Sequence, residues 1–247
     1  GGDVMHMKHT DLNFVCSRIP KDLRNLMMKD YPMLMIGGGF IRATIAGEKP
    51  SDIDIFGPNK EVLKAAAMAL ALKRGARLHE SDNAFTILAP PRIPVQFIYR
   101  WVFDHPAALI GTFDFTICQA ALYIKECPLE NSESTVRKWD SVISEDFYRD
   151  LAARRLVYAH PLRNEDAGGS LMRVRKFLTR GYNIQAQSLA GVCARLFMGV
   201  RNLEDFSDEK RLTKILSGLL REVDPLIVVD GVDWIDEHQA VQEAEQA

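Results

Sequence analysis

Two short segments of the sequence carry the residue types that phosphate chemistry requires. The first is the glycine run Gly37-Gly38-Gly39, followed by Arg42, and the second is Asp52-Ile53-Asp54. A glycine turn lets backbone N–H groups approach a phosphate closely, and a helix N-terminus after such a turn favours anions. Two aspartates that alternate along a strand share one face, so both carboxylates can bind the same pair of Mg²⁺ ions. Two such ions would stabilise the attacking and leaving oxygens of an in-line phosphoryl transfer.

The elements around these segments are the ones that would position them. Residues 33–36 form a short apolar run that predicts a buried strand entering the glycine turn. Residues 40–46 return to helical spacing, and residues 51–56 alternate as a strand does. The pattern further predicts a helix over 61–74 and a hairpin of strands 84–88 and 94–99.

The remaining chain reads as mostly helical. We expect a helix over 10–30 that breaks near Pro20, and further helices over 116–125, 144–155, 169–180, 185–199 and 208–221. The prediction is an α+β fold: a head of residues 1–160 with a mixed or antiparallel sheet flanked by helices, then a small helical neck or body of residues 161–247 with an acidic C-terminal tail. Residues 226–229 fit either a short strand or an apolar anchor.

Composition excludes several classes of protein. The 247 residues are 47% apolar and 26% charged, which is typical of a globular chain and not of disorder, collagen or a coiled coil. No apolar stretch approaches the ~20 residues that cross a bilayer, and no apolar segment of a signal peptide opens the chain. The four cysteines are scattered without Cys-x-x-Cys pairing, so we expect a reduced, cytoplasmic protein.

Charge is unevenly distributed along the chain. The totals are 31 basic and 33 acidic residues, a net charge of −2. Residues 149–182 nevertheless carry eight Lys or Arg against three acids, and residues 222–247 carry eight acids and no Lys or Arg. The basic stretch is either a solvated helix face or a surface for phosphates.

Three stretches of the chain together carry a family resemblance. The first is Gly38-Gly39-Phe40-Ile41-Arg42 followed by Gly47, Pro50 and Asp52-Ile53-Asp54; the second is Asp114-Phe115-Thr116-Ile117-Cys118-Gln119-Ala120-Ala121-Leu122; the third is Asp150-Leu151, Ser170-Leu171-Met172-Arg173, Lys176-Phe177 and Gly181-Tyr182. In this order they resemble the head and neck of bacterial poly(A) polymerases and CCA-adding tRNA nucleotidyltransferases, which belong to the DNA polymerase β superfamily.

The resemblance implies transfer of a nucleoside monophosphate from an NTP to an acceptor hydroxyl, with release of pyrophosphate. It assigns Mg²⁺, or Mn²⁺ in its place, to Asp52 and Asp54, which would be the catalytic and metal-binding residues. The implied nucleotide-binding residues are Gly38, Gly39, Arg42, Asp114, Arg173 and Lys176. The implied acceptor is an RNA 3′ end held by the basic stretch 149–182; a protein or small-molecule acceptor stays open, because the chain ends soon after the neck.

Several assigned residues have simpler alternatives. Arg42 could form a salt bridge that ties its helix to the sheet. Asp114 could cap a helix by accepting a bond from a first-turn N–H, with or without a nucleotide contact. Arg173 and Lys176 fall three apart on one helix face, which is also what a solvated basic face requires.

One departure from the family pattern bears on activity. The superfamily's third carboxylate is expected on the strand 94–99, where this chain has Gln96. Ala43 and Thr112-Phe113 also replace an aspartate and two arginines of the pattern. The alternative function is therefore a catalytically weak or inactive head that binds a nucleotide or a partner. A third carboxylate within reach of Asp52 and Asp54 would favour the enzyme.

Overall fold

The computed structural model describes residues 4–162 and 167–220, and the short strands Ile227–Val229 and Val232–Trp234. The chain forms two compact units. The first comprises residues 1–111 and 118–147, and the second comprises residues 112–117 and 148–247. The expected division into a head domain of residues 1–160 and a helical neck or body of residues 161–247 stays a prediction. The acidic tail lies outside the described residues, apart from the two short strands.

The first unit combines helices with one large sheet. Its helices are α1 (His9–Arg18), α2 (Lys21–Lys29), α3 (Gly39–Ala46), α4 (Lys60–Arg74) and α5 (Pro106–Ile110). Its strands are β1 (Val4–Met5), β2 (Met35–Gly37), β3 (Ile53–Phe56), β4 (Leu78–Glu80), β5 (Ala84–Ile87), β6 (Val95–Ile98), β7 (Ala120–Pro128) and β8 (Thr135–Ser144). The break between α1 and α2 falls at Pro20, as the sequence predicts.

The eight strands form a mixed sheet in the order β1-β8-β7-β2-β3-β6-β5-β4. Strands β3 and β6 pair in parallel, and the other neighbours pair antiparallel. Together with the flanking helices this sheet confirms the predicted α+β fold. The two motifs of the candidate site therefore lie on neighbouring central strands, β2 and β3.

One face of the central strands is apolar and fully buried. Ile53 and Ile55 on β3 alternate with the aspartates, and Val95 and Phe97 on β6 continue this face. Helix α4 packs against β4, β5 and β6, and it buries Leu63, Ala66, Ala67, Leu70 and Ala71. Burial of this face fixes the register of β3, because a slip by one residue would turn the isoleucines outward.

The predicted helix over 116–125 is wrong. A 3-10 helix covers Thr116–Cys118, and β7 then begins at Ala120 and pairs with both β2 and β8. Gln, Ala, Leu and Lys in residues 116–125 favour a helix locally, but long-range pairing outweighs that preference. The strand β8 was not predicted, and the helix expected over 144–155 is only α6 (Phe147–Ala152).

The second unit contains the helices that the sequence predicts after the head. They are α7 (Ala167–Thr179), α8 (Ala186–Phe197) and α9 (Glu209–Leu219), with a 3-10 helix at Leu203–Ser207. The two-residue strands β9 (Arg155–Leu156) and β10 (Asn183–Ile184) pair in parallel. The strands β11 (Ile227–Val229) and β12 (Val232–Trp234) form an antiparallel pair. The core of the second unit contains a cluster of aromatic rings. Phe115 contacts both Tyr158 and Phe177, and Phe177 contacts Tyr182.

Candidate active site

The glycine turn connects β2 directly to α3. Gly38 caps the helix with φ 76° and ψ −131°, a conformation that only glycine adopts without strain. Its N–H donates to the Ala120 carbonyl at 3.2 Å, which ties the turn to β7. The first N–H groups of a helix have no partner within the helix, so the donors that this turn offers to a phosphate are those after Gly38, beginning with Gly39. A side-chain Cβ at Gly39 would meet no heavy atom within 4 Å, so this part of the turn opens into free space.

The two aspartates lie where the alternation predicts. Asp52 directly precedes β3 and Asp54 is its second residue, and both side chains are half-buried. Asp54 stands opposite Gly37 on β2 and opposite Gln96 on β6. The structure therefore brings Asp54 next to the glycine turn across one strand pair.

The position expected for a third carboxylate is occupied by Gln96. Its register partner on β3 is Asp54, and Gln96 as a whole is 7% exposed. Within residues 4–162 and 167–220, no group of three or more His, Cys, Asp or Glu side chains could hold a metal ion. The carboxylate donors near the turn are therefore Asp52 and Asp54.

Two carboxylates suit one Mg²⁺ ion that arrives with a nucleotide. Mg²⁺ prefers hard oxygen ligands and commonly takes one or two protein carboxylates, completing its shell with water and substrate phosphates. The chemistry of this donor set fits such an ion. A second metal ion would need a further ligand, and the two-metal arrangement stays a prediction.

Arg42 is buried inside the first unit. Its side chain is 3% exposed, and Nη1 donates to Glu48 Oε2 at 3.0 Å. The left-handed conformation of Gly47, with φ 75°, turns the chain after α3 so that Glu48 returns to this arginine. This ion pair joins α3 to the residue that follows its C-terminal cap, which fits a structural role for Arg42. A phosphate contact by Arg42 stays a prediction.

Asp114 and Arg173 contact each other in the second unit. Arg173 Nε and Nη2 lie 2.7 and 2.6 Å from Asp114 Oδ2, and the Ser170 hydroxyl donates to the same oxygen at 2.8 Å. The carboxylate thus joins residues 112–117 to α7. Lys176 is half-buried on α7, one turn after Arg173. The structure shows these partners for Asp114 instead of the expected helix cap, and nucleotide contacts by Asp114, Arg173 and Lys176 stay predictions.

The sequence motifs did not assign a role to Ser170 or to Thr86. Ser170 belongs to the third motif, but its hydrogen bond spans 56 residues and no local pattern reveals it. Thr86 stands opposite Gln96 on β5 and is 2% exposed. Its only sequence signal is a polar residue between Phe85 and Ile87, both fully buried.

Comparison with solved structures defines the fold class. The chain is similar to a Thermotoga maritima CCA-adding enzyme complexed with tRNA, at a TM-score of 0.54 and 18% identity over 98% of this chain and 54% of that one. It is also similar to a CCA-adding enzyme complexed with ATP, at 0.53 and 18% over 97% and 51%, and to a tRNA-processing enzyme in apo form, at 0.52 and 16% over 99% and 58%. The protein therefore has a nucleotidyltransferase fold, and it spans about half the length of these structures.

Family membership follows from a sequence model. Residues 7–154, more than half of the chain, match the model described as Gabija anti-defense 2 family protein. The chain belongs to this family. A search of the curated proteins gives no match. None of the helices in the described part of the chain has the length and apolar character needed to span a membrane.

Proposed function

We propose that this protein is a nucleotidyltransferase that transfers a nucleoside monophosphate from an NTP to an acceptor hydroxyl. The acceptor oxygen attacks the α-phosphorus, the bond between the α-phosphorus and its bridging oxygen to the β-phosphate breaks, and pyrophosphate leaves. The observation that carries this proposal is the register of Asp54 beside Gly37, with Asp52 on the same side of β3. It sets two carboxylates next to an open helix N-terminus, which suits a bound triphosphate.

Each element of the first unit has a task in this reaction. The N–H groups that follow Gly38 in the first turn of α3 bind phosphate oxygens, and the helix dipole adds to their attraction. The ion pair of Arg42 with Glu48 stabilises the C-terminal end of α3, the helix that follows the glycine turn. Asp52 and Asp54 would hold Mg²⁺, which when bound neutralises charge on the phosphates.

In the second unit, Asp114, Arg173 and Lys176 are our proposed nucleotide-binding residues. The carboxylate of Asp114 fixes the Arg173 guanidinium through two short contacts. An arginine held in this way loses less side-chain entropy when it binds a ligand. Lys176, one turn further along α7, supplies a second positive charge.

The proposed acceptor is an RNA 3′ end. Its support is the basic stretch 149–182, in which the guanidinium of Arg154 lies 5.5 Å from the Tyr182 ring centroid and that of Arg180 lies 5.9 Å from the Phe177 ring centroid. Both arginines are exposed, so they can meet a phosphate backbone. We place the reaction in the cytoplasm, a proposal that the four free cysteines support.

The description of the matching family suggests a biological role for the proposed activity. The matching model is named for an anti-defense role against Gabija, and we propose that nucleotidyl transfer by this chain serves that role. A strain that carries Gabija should lose its defence when it expresses the wild type. It should keep the defence when the Asp52→Asn/Asp54→Asn double variant is expressed at the same level.

A labelled-nucleotide assay tests the proposed reaction. The protein is incubated with each α-labelled NTP, Mg²⁺ or Mn²⁺ and total RNA, and the products are separated on a gel. Labelled RNA that is absent with Asp54→Asn supports the proposal. Label on protein or on a small molecule would move the acceptor to that class, and the absence of any label with intact NTP binding would contradict transfer.

The rival function is a head that binds nucleotide without catalysis. It is favoured by Gln96 at the third carboxylate position and by the lack of a three-residue metal-binding cluster among the described side chains. If this function is correct, the wild-type protein should bind NTP in calorimetry. It should release no pyrophosphate in any of the labelled reactions.

A further inference from the structure

The outer edge of β8 is only partly covered by a neighbouring strand. β8 has ten residues, but β1 pairs with it only at Ile143 and Ser144. The His6 ring then donates to the Ser141 carbonyl at 2.6 Å. Within the described residues, no strand pairs with β8 on this side over residues 135–139. These residues form an open edge, whose backbone groups another strand can pair with.

The ladder on the other side of β8 shows which backbone groups point outward. The Ser144 N–H donates to the Gln119 carbonyl, on the side of β7. Backbone groups alternate in direction along a strand, so even-numbered residues of β8 bond to β7 and odd-numbered ones point away from it. The bond from His6 to the Ser141 carbonyl agrees with this alternation. The residues of the open edge that direct one N–H and one carbonyl outward are therefore Thr135, Arg137 and Trp139.

Two lysines lie opposite each other on one face of this edge. Lys138 on β8 is the register partner of Lys125 on β7, and both are exposed. Like charges directly opposite each other on neighbouring strands are destabilising. Neither ammonium group forms an ion pair with a carboxylate of the described residues. The acid of this face, Asp140, is contacted instead by His6 and by the Tyr123 hydroxyl. The lysine pair therefore suits a ligand that brings negative charge.

The other face of the edge offers an apolar contact. Trp139 is half-buried and stands opposite Ile124, which is 7% exposed. Arg137 on the same face already lies 3.2 Å from Glu126 and donates to the Lys29 carbonyl at 2.9 Å. A strand added here would therefore gain an apolar contact at Trp139, while its charged contact would be with the lysines on the opposite face.

We propose that the open edge of β8 binds an extended acidic segment of a partner protein, which adds to the sheet as an antiparallel strand in line with β1. The segment's backbone bonds the three outward-facing residues. One of its acidic residues stands opposite Lys138, and the residue before that acid is apolar and stands opposite Trp139. Because Lys138 bonds to β7, its pair with the added strand is of the non-hydrogen-bonded type, in which side chains approach most closely.

The charges of the edge favour such a segment over a second copy of this chain. Antiparallel pairing of two open edges over their full length would place two copies of Arg137 opposite each other, which is unfavourable. An acidic strand meets Lys138 directly and Lys125 one strand further in. The inference is independent of nucleotidyl transfer, and its test needs no NTP.

Fluorescence polarisation of labelled peptides on the full chain tests this inference. The acidic probe is Ser-Val-Glu-Thr-Val-Thr-Ser, in which Glu would stand opposite Lys138 and the preceding Val opposite Trp139. The control peptide has Lys in place of this Glu. We expect the acidic probe to bind at least about tenfold more tightly, because it replaces a repulsive cross-strand contact by an attractive one.

Backbone methylation distinguishes strand addition from simple attraction between charges. In the added strand, the N–H of the Thr after Glu would donate to the Arg137 carbonyl, whereas the N–H of Glu would point to solvent. N-methylation of this Thr should weaken binding about tenfold, and N-methylation of Glu at most about twofold. Equal effects of the two methyl groups would overturn the proposed pairing.

Two changes in the protein test the edge itself. Lys138→Glu should reverse the preference, so that the Lys peptide binds more tightly than the acidic probe, whereas Lys64→Glu on the exposed side of α4 should match wild type. Thr135→Pro removes an outward N–H without removing a bond to β7, and it should weaken the acidic probe at least about threefold. Thr135→Ala keeps that N–H and should bind as wild type does.

Other occupants of the edge would give different results. No binding of the acidic probe, or binding that ignores its Glu, would overturn the proposal. An RNA oligonucleotide that binds wild type but not Lys138→Glu, with neither peptide bound, would assign the lysine pair to phosphates instead. A dimer in ultracentrifugation that Thr135→Pro dissociates would assign the edge to a second copy of the chain, which also contradicts the proposal.

Discussion

At the residue scale, two neighbouring glycines form the turn at the start of α3. Gly38 adopts a backbone conformation reserved for glycine, and Gly39 faces open space at the first turn of α3. Their roles therefore differ. Gly38 shapes the turn, and Gly39 keeps the approach to its N–H groups clear.

This difference makes Gly39 the cleaner test of the phosphate site. Gly39→Val should leave the fold intact, because a Cβ added at this exposed position meets no heavy atom within 4 Å. It should weaken NTP binding about tenfold by keeping phosphates off the N–H groups. Mg²⁺ binding should change less. Calorimetry checks both affinities, with Gly39→Ala as the smaller control. An unchanged NTP affinity in Gly39→Val would move the phosphate site elsewhere.

Gly38 should instead report on stability. A side chain there must adopt a positive φ, so Gly38→Ala should lower the free energy of unfolding by about 1–3 kcal/mol. Urea unfolding measures the effect. A variant as stable as wild type would show that the turn does not have this conformation in solution.

At the element scale, a charged cluster joins two helices of the first unit. Arg74, the last residue of α4, is almost fully buried, and its Nε donates to Asp22 on α2 at 2.8 Å. Arg92 lies 3.1 Å from the same carboxylate. Burial works to raise the pKa of Asp22. The hydrogen bond and charge of Arg74, then the Leu23 backbone N–H and the charge of Arg92, outweigh burial and lower the pKa.

The lowered pKa gives stability a defined pH dependence. An unfolded aspartate titrates near pH 3.9, so the contribution of Asp22 is fully present above that pH and is lost as pH falls through its lower folded value. Asp22→Asn should lower the free energy of unfolding by about 1–3 kcal/mol at pH 7, because it leaves a buried arginine poorly paired.

Urea titrations from pH 7 to pH 3 check this prediction. The difference between wild type and Asp22→Asn should shrink below about pH 4. Asp30→Asn, at the exposed C-terminal end of α2, is the control and should change stability little. A difference that stays constant down to pH 3 would contradict the assigned ion pair.

The sequence predicts a helix or strand well where neighbouring residues determine it, and poorly where distant residues do. The segment from β2 through the glycine turn to β3 is predictable from the sequence. An apolar run, a glycine turn and an alternating strand follow one another closely along the chain. The hairpin of β7 and β8 is not predictable, because residues 120–125 favour a helix locally and only pairing with β2 and β8 makes them a strand. The partners of Asp114 are likewise set by tertiary contacts with α7.

At the scale of the whole molecule, the net charge of −2 conceals the basic stretch 149–182. If this stretch holds RNA, Arg154→Ala/Arg180→Ala should weaken binding about equally for all sequences, because phosphate contacts carry no sequence information. The slope of log K against log salt should become shallower by about 1–1.5 for two lost contacts with single-stranded RNA.

Filter binding at several salt concentrations measures that slope. Lys64→Ala, at an exposed position on α4 of the first unit, removes one charge outside the stretch and should leave the slope unchanged. Equal slopes for wild type and the double-arginine variant would place the RNA on another surface, or exclude RNA as a partner.

The central claim is that Asp52 and Asp54 support nucleotidyl transfer, and the rate of labelled nucleotide incorporation in single variants tests it most directly. Asp52→Ala and Asp54→Ala should each reduce Mg²⁺-dependent transfer at least about 100-fold. Each removes a ligand for the Mg²⁺ ion that would neutralise the charge on the phosphates. Their melting temperatures should stay close to that of wild type, and Asp104→Ala, at an exposed carboxylate outside the site, should retain full activity. Wild-type turnover in Asp52→Ala or in Asp54→Ala would contradict the account.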